Sequence, residues 1–425
     1  MSKRLLILGG NPETVPLVTT ANDIGVHTIV VDPNKNSPAK YYARESYEID
    51  CLNVNELERL ALKIGVDGIL VGVADILVPS YFELCKRFKL PTYANPLAVK
   101  AFTSKTGFIE ACKKAGVTTT PSFSEQTALE NNIPNQCYPI LVKPVDNGGG
   151  VGISICHNFA ELSPAIDKAR SASKTQGILL EKFMTCDDMA AYYSFVDGQA
   201  FLVATSDRFT SKKTYRGSPV CIGASYPSKH EDRFENEVHP KLLEMFKHLK
   251  LKNGVLNIQF FADSKGFYAY DPGFRLQGEG FHIHVEEAFG IDQKEALIRF
   301  SLDEPLGSYS TTIGERRVGD KFYAATVWVL LKPGTIQEIV GLEKIDGLKS
   351  FKSKVVRLGK GDQITEEIMG TEKQVFCRIY LQHQNLGQLH NDIDVINDKL
   401  EVNSIDDSLI FDALSSKILR LNMIP

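Results

Sequence analysis

No window of this sequence approaches the roughly eighteen uninterrupted apolar residues that a membrane-spanning helix needs, so no span is expected. Neither sign of charge is in excess. Lys and Arg number 48 and Asp and Glu 52, a formal net charge of −4, which gives no electrostatic reason to expect a nucleic-acid partner. The eight cysteines (51, 85, 112, 137, 156, 186, 221 and 377) never take a CxxC spacing and lie mostly in apolar or strand-like stretches. Reduced, buried thiols in a cytoplasmic protein are therefore expected, rather than a disulfide framework. A zinc site is not expected either, because His282 and His284 alternate in FHIH without another His or Cys nearby to complete a ligand set. The start, MSKRLLILGG, has a basic flank but no cleavage-site pattern, and reads as a first strand rather than a signal peptide. There is no internal repeat and no low-complexity segment.

At 425 residues the chain exceeds one ordinary core, and about two to four domains are expected. The first hundred residues alternate strand and helix: RLLILGG, then PETVPLVTTANDIG, VHTIVVD, VNELERLALKIG, DGILVG and ILVPSYFELCKRFK. That alternation points to a parallel sheet covered by helices. A dinucleotide-binding domain is the rival reading, since Asp32 ends the second strand. The first turn is GGNPET, however, and lacks the third glycine of GxGxxG. Gly9, Gly10 and Asp32 remain either the lining of a ligand cleft or a plain turn with a strand-end carboxylate.

Residues 97–118 read as one linking helix closed by Gly116. From 138 to about 205 the pattern becomes two-period strands interrupted by the helix AELSPAIDKARSASK. An amphipathic helix follows over 232–250, then the antiparallel pair GVLNIQFFAD and GFYAYDPG joined at Ser264–Lys265–Gly266, and a helix near 292–302. From 322 onward, short strands and a helix read as a separate α+β module.

Three stretches carry candidate chemistry. In LVKPVDNGGGVGIS a lysine on a strand, Lys143, precedes Gly148, Gly149, Gly150 and Gly152. Backbone N–H groups in such a loop can reach phosphate oxygens while the lysine adds a point charge, though glycine-rich hairpins also occur without a ligand. It is not a Walker loop, because no GK[ST] follows and the loop leads into a strand. In LLEKFM an apolar strand ends in Glu181, followed by Lys182, Phe183 and Met184. A carboxylate there can accept from an exocyclic adenine amine while the backbone beyond it pairs with the ring edge, or it is a solvated strand end. In NIQFF and YDPGFR, Gln259 and Asp271 fall on adjacent strands of one hairpin with Arg275 four residues on. Their hard oxygens suit magnesium on nucleotide phosphates, and a guanidinium suits developing phosphoryl charge. The plain alternative is an edge-strand Gln and a structural Asp–Arg pair.

Taken in order, these stretches resemble the ATP-grasp superfamily, in which ATP lies between two α+β subdomains. KPVDNGGGVG resembles its glycine-rich flap, LEKFM the adenine hinge of biotin carboxylases, and NIQFF…YDPGFR the metal hairpin of the carbamoyl-phosphate synthase branch, commonly VQF…E-x-N-x-R. PGTI and VFCRIY resemble the end of biotin carboxylase and of purine-synthesis ligases. The resemblance implies a mixed α/β and α+β fold: a Rossmann-like pre-ATP-grasp domain over 1–96, an ATP-grasp core over 97–320 with a smaller nucleotide-lid subdomain at about 120–185, and a C-terminal α+β module over 321–425. It implies that Lys105 contacts the α-phosphate and Asp188 the ribose, with ATP and Mg2+ (or Mn2+ in its place) as cofactors. Two positions depart from the pattern: Asp271 replaces the usual Glu and Gly273 the usual Asn, which removes one oxygen ligand.

The implied activity is ATP-dependent ligation of a carboxylate to an amine through an acyl phosphate, releasing ADP and phosphate. Arg275 would be the catalytic residue, and small-molecule acids and amines the partners, with a homodimer common among the relatives. Arg208, in the basic and hydroxyl-rich stretch 206–219, together with Glu279, His282, His284 and Arg378, are the candidate substrate contacts. Two alternatives stand beside this one: bicarbonate activation of the carboxylase or carbamoyl-phosphate type, and a nucleotide-binding ATP-grasp protein without catalysis.

Overall fold

The computed structural model describes residues 2–145, 151–213, 219–307, 309–315, 322–405 and 407–422. The run RLLIL forms β1 (Arg4–Leu8), with Leu5 through Leu8 fully buried on both faces, as a central parallel strand requires. With β2 (His27–Val31), β3 (Glu45–Tyr47) and β4 (Gly68–Val71) it makes a parallel sheet of order β3-β2-β1-β4. α1 (Val15–Asp23) and α2 (Val54–Ile64) lie in the connections and α3 (Val78–Phe88) follows β4, matching the expected alternation.

The linking helix expected over 97–118 is two helices, α4 (Pro96–Phe102) and α5 (Lys105–Lys114). The break comes at Ser104, whose hydroxyl accepts from the Gly107 N–H and so starts a new helix with Lys105 as its first residue. Gly107 lets the pair close up: a Cβ there would stand 2.0 Å from the Lys100 carbonyl oxygen. Next comes a small antiparallel sheet of order β5-β8-β6-β7, made of β5 (Ser122–Phe123), β6 (Ile140–Pro144), β7 (Ser154–Cys156) and β8 (Ile178–Lys182). Between these strands run α6 (Glu125–Leu129) and α7 (Leu162–Ala172), which close a separate small core including Ile140, Val142, Leu162, Ile166 and Leu180.

The main sheet has nine strands. Its path is β13-β12-β9-β10-β11-β14-β19-β17, where β9 is Asp187–Val196, β10 Gln199–Thr210, β11 Cys221–Tyr226, β12 Gly254–Asp263, β13 Gly266–Gly273, β14 Tyr323–Leu331, β17 Phe351–Val356 and β19 Val375–His383. A short β21 (Ile410–Ala413) also pairs with β14. Two ribbons stand apart from it: β15 (Gly334–Thr335) with β18 (Gln363–Ile364), and β16 (Glu338–Val340) with β20 (Glu401–Asn403). The C-terminal residues, expected as a module of their own, therefore have their own hydrophobic core but share the central sheet, because β14 pairs directly with β11.

The helix expected over 232–250 is also divided, into α8 (Glu231–Glu237) and α9 (His239–His248). Pro240 sits in the first turn of α9, where its missing N–H costs nothing; inside a continuous helix it would break the ladder. The hairpin of β12 and β13 leads through Arg275 to α10 (Phe281–Phe289) and α11 (Gln293–Ser301). α11 packs back on α1 and β4, and one apolar cluster runs from Leu5 through Phe274 to Leu302. The first sheet and the main sheet thus share a core.

Candidate active site

Four separate parts of the fold deliver ionised groups to one place. Lys105, at the start of α5, forms an ion pair with Asp271 on β13. Lys143 on β6 pairs with Glu181 on β8, where Glu181 also accepts from the Thr120 hydroxyl at 3.0 Å. Arg275, just beyond β13, reaches Asp75 at 2.5 Å. The surrounding protein by itself would raise the Asp271 carboxyl, but Lys105, with Lys143 and Arg275 beyond it, holds it below its ordinary value. Burial would likewise lower the Lys105 ammonium, and Asp271 outweighs that and raises it. Asp75 goes the other way: burial raises its carboxyl against the pull of Arg275, and nearby Asp271 adds to the rise.

Asp75 escaped the sequence reading. It lies in the turn after β4, at the carboxyl end of a parallel strand, where ligand clefts of such sheets form. That position, four residues past a wholly apolar strand, was the available signal. The other strand-end acid, Asp32, accepts from the Gly10 N–H at 2.8 Å and from the Asn34 N–H at 2.8 Å, and so closes its own turn.

A second, more enclosed cluster lies beside the first. Arg208 on β10 donates to Asp188 on β9 (2.9 Å), to the Tyr270 hydroxyl (2.8 Å) and to Glu279 (2.7 Å). Tyr270 in turn donates to Asp188 at 2.9 Å. Burial pushes Asp188 up to about 6 against the pull of Arg208 and Tyr270, whereas Glu279 is held below its ordinary value because Arg208 outweighs its burial. Both Asp188 oxygens are engaged by protein groups in this structure. Tyr270 was missed because strict alternation puts it on the face opposite Asp271. A bulge opposite Gln259 and Phe260 makes it an extra residue and re-aims its ring, which stacks on Phe261 at 4.4 Å.

The remaining candidates divide. Gln259 stands directly across the hairpin from Asp271. The hinge residues Lys182 and Phe183 use their backbone N–H groups on Pro121 and Pro139, at 2.8 and 2.9 Å, so the strand end is anchored to the small sheet; Met184 follows them. Gly148, Gly149 and Gly150 lie outside the described residues. Gly152 has φ +77°, and a Cβ there would sit 2.7 Å from Ala172 and 2.8 Å from Pro144, so local packing already requires glycine. Arg378 on β19 is fixed by Glu13 (2.9 Å), Glu372 (3.0 Å) and the Gly278 carbonyl (2.5 Å), with its guanidinium 3.9 Å over Trp328.

His282 and His284 do not face an incoming amine. FHIH looks like a strand alternation but is the first turn of α10, and both rings are buried. His284 lies within hydrogen-bonding distance of the Thr326 hydroxyl (3.2 Å) and against Tyr226, and burial pushes it down to about 3. Burial also holds His282 well below the ordinary imidazole value, so both are neutral core residues.

The family model described as "D-ala D-ala ligase C-terminus" matches residues 109–270. The formate-dependent phosphoribosylglycinamide formyltransferase of Francisella tularensis is 31% identical over 191 residues, covering 43% of this chain and 49% of that one. The chain thus spans about half the length of the curated relatives it matches. The L-amino acid ligase of Bacillus licheniformis superposes with a TM-score of 0.77 at 16% identity, over 95% of this chain and 99% of that one. The biotin carboxylase domain of the Hydrogenobacter thermophilus 2-oxoglutarate carboxylase does so with a TM-score of 0.72 at 20% identity, over 96% and 91%.

The chain has the ATP-grasp fold.

Within that ATP-grasp fold, the small sheet carries Lys143 and Glu181, the main sheet carries Asp271, and Asp75 joins the same group of charges from the turn after β4. No helix is long and apolar enough to cross a membrane among the described residues, which also hold no group of three or more His, Cys, Asp or Glu placed for a metal.

Proposed function

We propose that this protein is an ATP-dependent carboxylate–amine ligase that forms an amide or peptide-like bond through an acyl phosphate and releases ADP and phosphate. The observation that carries this reading is the convergence of Lys105, Lys143 and Arg275, from three separate elements, around Asp271, each cation held by its own carboxylate. Three cations are thereby gathered at one place from separate elements, each held by a carboxylate that phosphate oxygens would replace.

Lys105 and Lys143 would exchange their carboxylate partners for phosphate oxygens of ATP. Arg275 would leave Asp75 for the transferred phosphoryl group and then steady the oxyanion formed when an amine attacks the acyl phosphate. Gln259 and Asp271 fit a divalent cation: they are hard-oxygen groups directly opposite on paired strands, and the ammonium resting on Asp271 in this structure is itself a cation at that carboxylate. Mg2+, or Mn2+ in its place, supplies neutralisation of phosphate charge when bound. The Hydrogenobacter structure is a dimer with MgADP and bicarbonate, which supports the nucleotide and metal assignment and makes a homodimer the assembly to look for. The partners are a small carboxylic acid and a small amine.

The test is turnover of Mg-ATP with hydroxylamine and separate pools of amino acids, sugar acids and bicarbonate, following ADP, AMP, phosphate and hydroxamate. ADP with phosphate and a hydroxamate from one pool is expected, lost in Lys143→Ala. ADP formed only with bicarbonate would replace this reading with a carboxylase-type one, and AMP with pyrophosphate would overturn the chemistry.

A further inference from the structure

Position 273 is glycine at the end of β13, where the motif it resembles carries an oxygen side chain. The neighbouring strand answers that loss. In the register of β12 and β13, Asn257 lies opposite Gly273 and Gln259 opposite Asp271. Residues two apart on a strand face the same side, so these four positions form the corners of one patch on one face of the sheet. Three corners carry oxygen-bearing side chains and the fourth carries none.

The Asn257 amide oxygen leans over the bare corner. A Cβ built on Gly273 would stand 2.5 Å from Asn257 Oδ1, closer than any real side chain tolerates, so the oxygen occupies the space that residue 273 leaves. The side chain is 93% buried (7% exposed), and Oδ1 has no hydrogen-bond partner among the described residues. A buried amide oxygen without a partner has lost its water and gained nothing in exchange, so its retention calls for a ligand. The bare corner also brings it beside the working groups: Arg275 Nη1 lies 3.0 Å from the same built Cβ.

We propose that Asn257 Oδ1 is a ligand of the divalent cation held by Gln259 and Asp271, delivered across the strand pair into the place of the missing side chain at 273. The inference rests on the proposed nucleotide and metal site. An amide oxygen is a hard, neutral donor, suited to a cation that also takes phosphate oxygens and a carboxylate. Asn257 and Gly273 are on this account a coupled pair, since a larger residue at 273 would displace the amide.

The test reads metal affinity directly. Mn2+ is titrated into the full-length protein with saturating ADP, and bound Mn2+ is followed by electron paramagnetic resonance. ADP affinity in EDTA serves as a control for the fold of the cleft. Asn257→Ala should weaken Mn2+ binding about tenfold or more, the range in which loss of a supporting group at a metal centre falls, and leave metal-free ADP affinity unchanged. Asn257→Ala combined with Gly273→Asn should recover most of it by returning the oxygen from the other strand. Asn257→Asp, which keeps an oxygen in place, should bind Mn2+ at least as tightly as the parent. Parent-like Mn2+ binding in Asn257→Ala, or an Asn257→Asp variant as weak as Asn257→Ala, would overturn the assignment. If the parent itself takes up no Mn2+ with ADP, the proposed metal site fails and this inference fails with it. The two failures are therefore told apart by the parent titration alone.

Discussion

At the scale of single residues, the site is a set of charges balanced in pairs. Among the described residues Arg275 has one carboxylate partner, Asp75, and its Nε is buried without a hydrogen-bond partner. Arg275→Gln should leave the fold intact and lower turnover about 10²–10³-fold, the range for removing one donor aimed at developing charge; this is measured as kcat on the acid that supports hydroxamate formation. Asp188 gives a pH prediction. Its folded-state pKa is raised to about 6 from an ordinary 3.8, so its contribution to stability is fully present below about pH 4 and is lost as pH rises through 6. Urea unfolding of Asp188→Asn and the parent across pH 4 to 7 should show the difference moving in favour of the variant as pH rises, by on the order of 2–3 kcal/mol. A difference that stays constant would mean Arg208 sets the Asp188 pKa close to its ordinary value. The types of these residues were readable: Lys105, Lys143, Asp271 and Arg275 sit in ordered motifs and meet in space. Their partners were not, because Asp75 lies 200 positions from Arg275 and no local pattern links the two.

At the scale of elements, what the sequence hides is where a regular pattern is interrupted. Periodicity gave the helices near 97–118 and 232–250 but not their breaks, which are set by a side-chain cap at Ser104 and by Pro240. It gave the hairpin at 254–273 but not the bulge that makes Tyr270 an extra residue and aims it at Asp188. It also made a strand-like alternation of the two histidines that begin α10. The α4–α5 break matters because it presents Lys105. Ser104→Ala removes the cap and should cost about 1 kcal/mol in chemical denaturation. Gly107→Ala is a harsher test of the same element. The new Cβ would meet the Lys100 backbone oxygen at 2.0 Å, which cannot move without parting the two helices. Alanine's helix preference over glycine is worth only about 1 kcal/mol, against about 1–3 kcal/mol for overpacking. Gly107→Ala should therefore be less stable than the parent and bind ADP more weakly, because Lys105 starts the displaced helix. Unchanged stability with unchanged ADP affinity would show that α5 adjusts without moving its first turn.

At the scale of the whole molecule, the division into successive units is cut across by the sheet and by three long-range ties. Strand β14 enters the main sheet beside β11, nearly a hundred residues earlier in the chain, a pairing that no local signal announces. Lys3 donates to the Leu302 carbonyl, Asp75 holds Arg275, and Arg378 joins Glu13 near the start of the chain to the Gly278 carbonyl just past the β12–β13 hairpin. Arg378 is the most enclosed of these, at 3% side-chain exposure, with Glu13 at 8%. Burying such a pair is not by itself a source of stability, but breaking it is costly, because the survivor stays buried without its counter-charge. Arg378→Leu should cost about 3–5 kcal/mol, since among the described residues Glu13 then keeps only the more distant Arg357 at 3.6 Å. Arg378→Leu with Glu13→Leu should cost less than the sum of the single changes, by about 1–3 kcal/mol, as expected of groups in one network. The cycle discriminates two roles for Arg378. If it is a tie between the start of the chain and the hairpin, the coupling appears in denaturant unfolding with no substrate present. If it is held mainly for a substrate anion, the two changes add in stability, and the coupling moves to the KM for the acid.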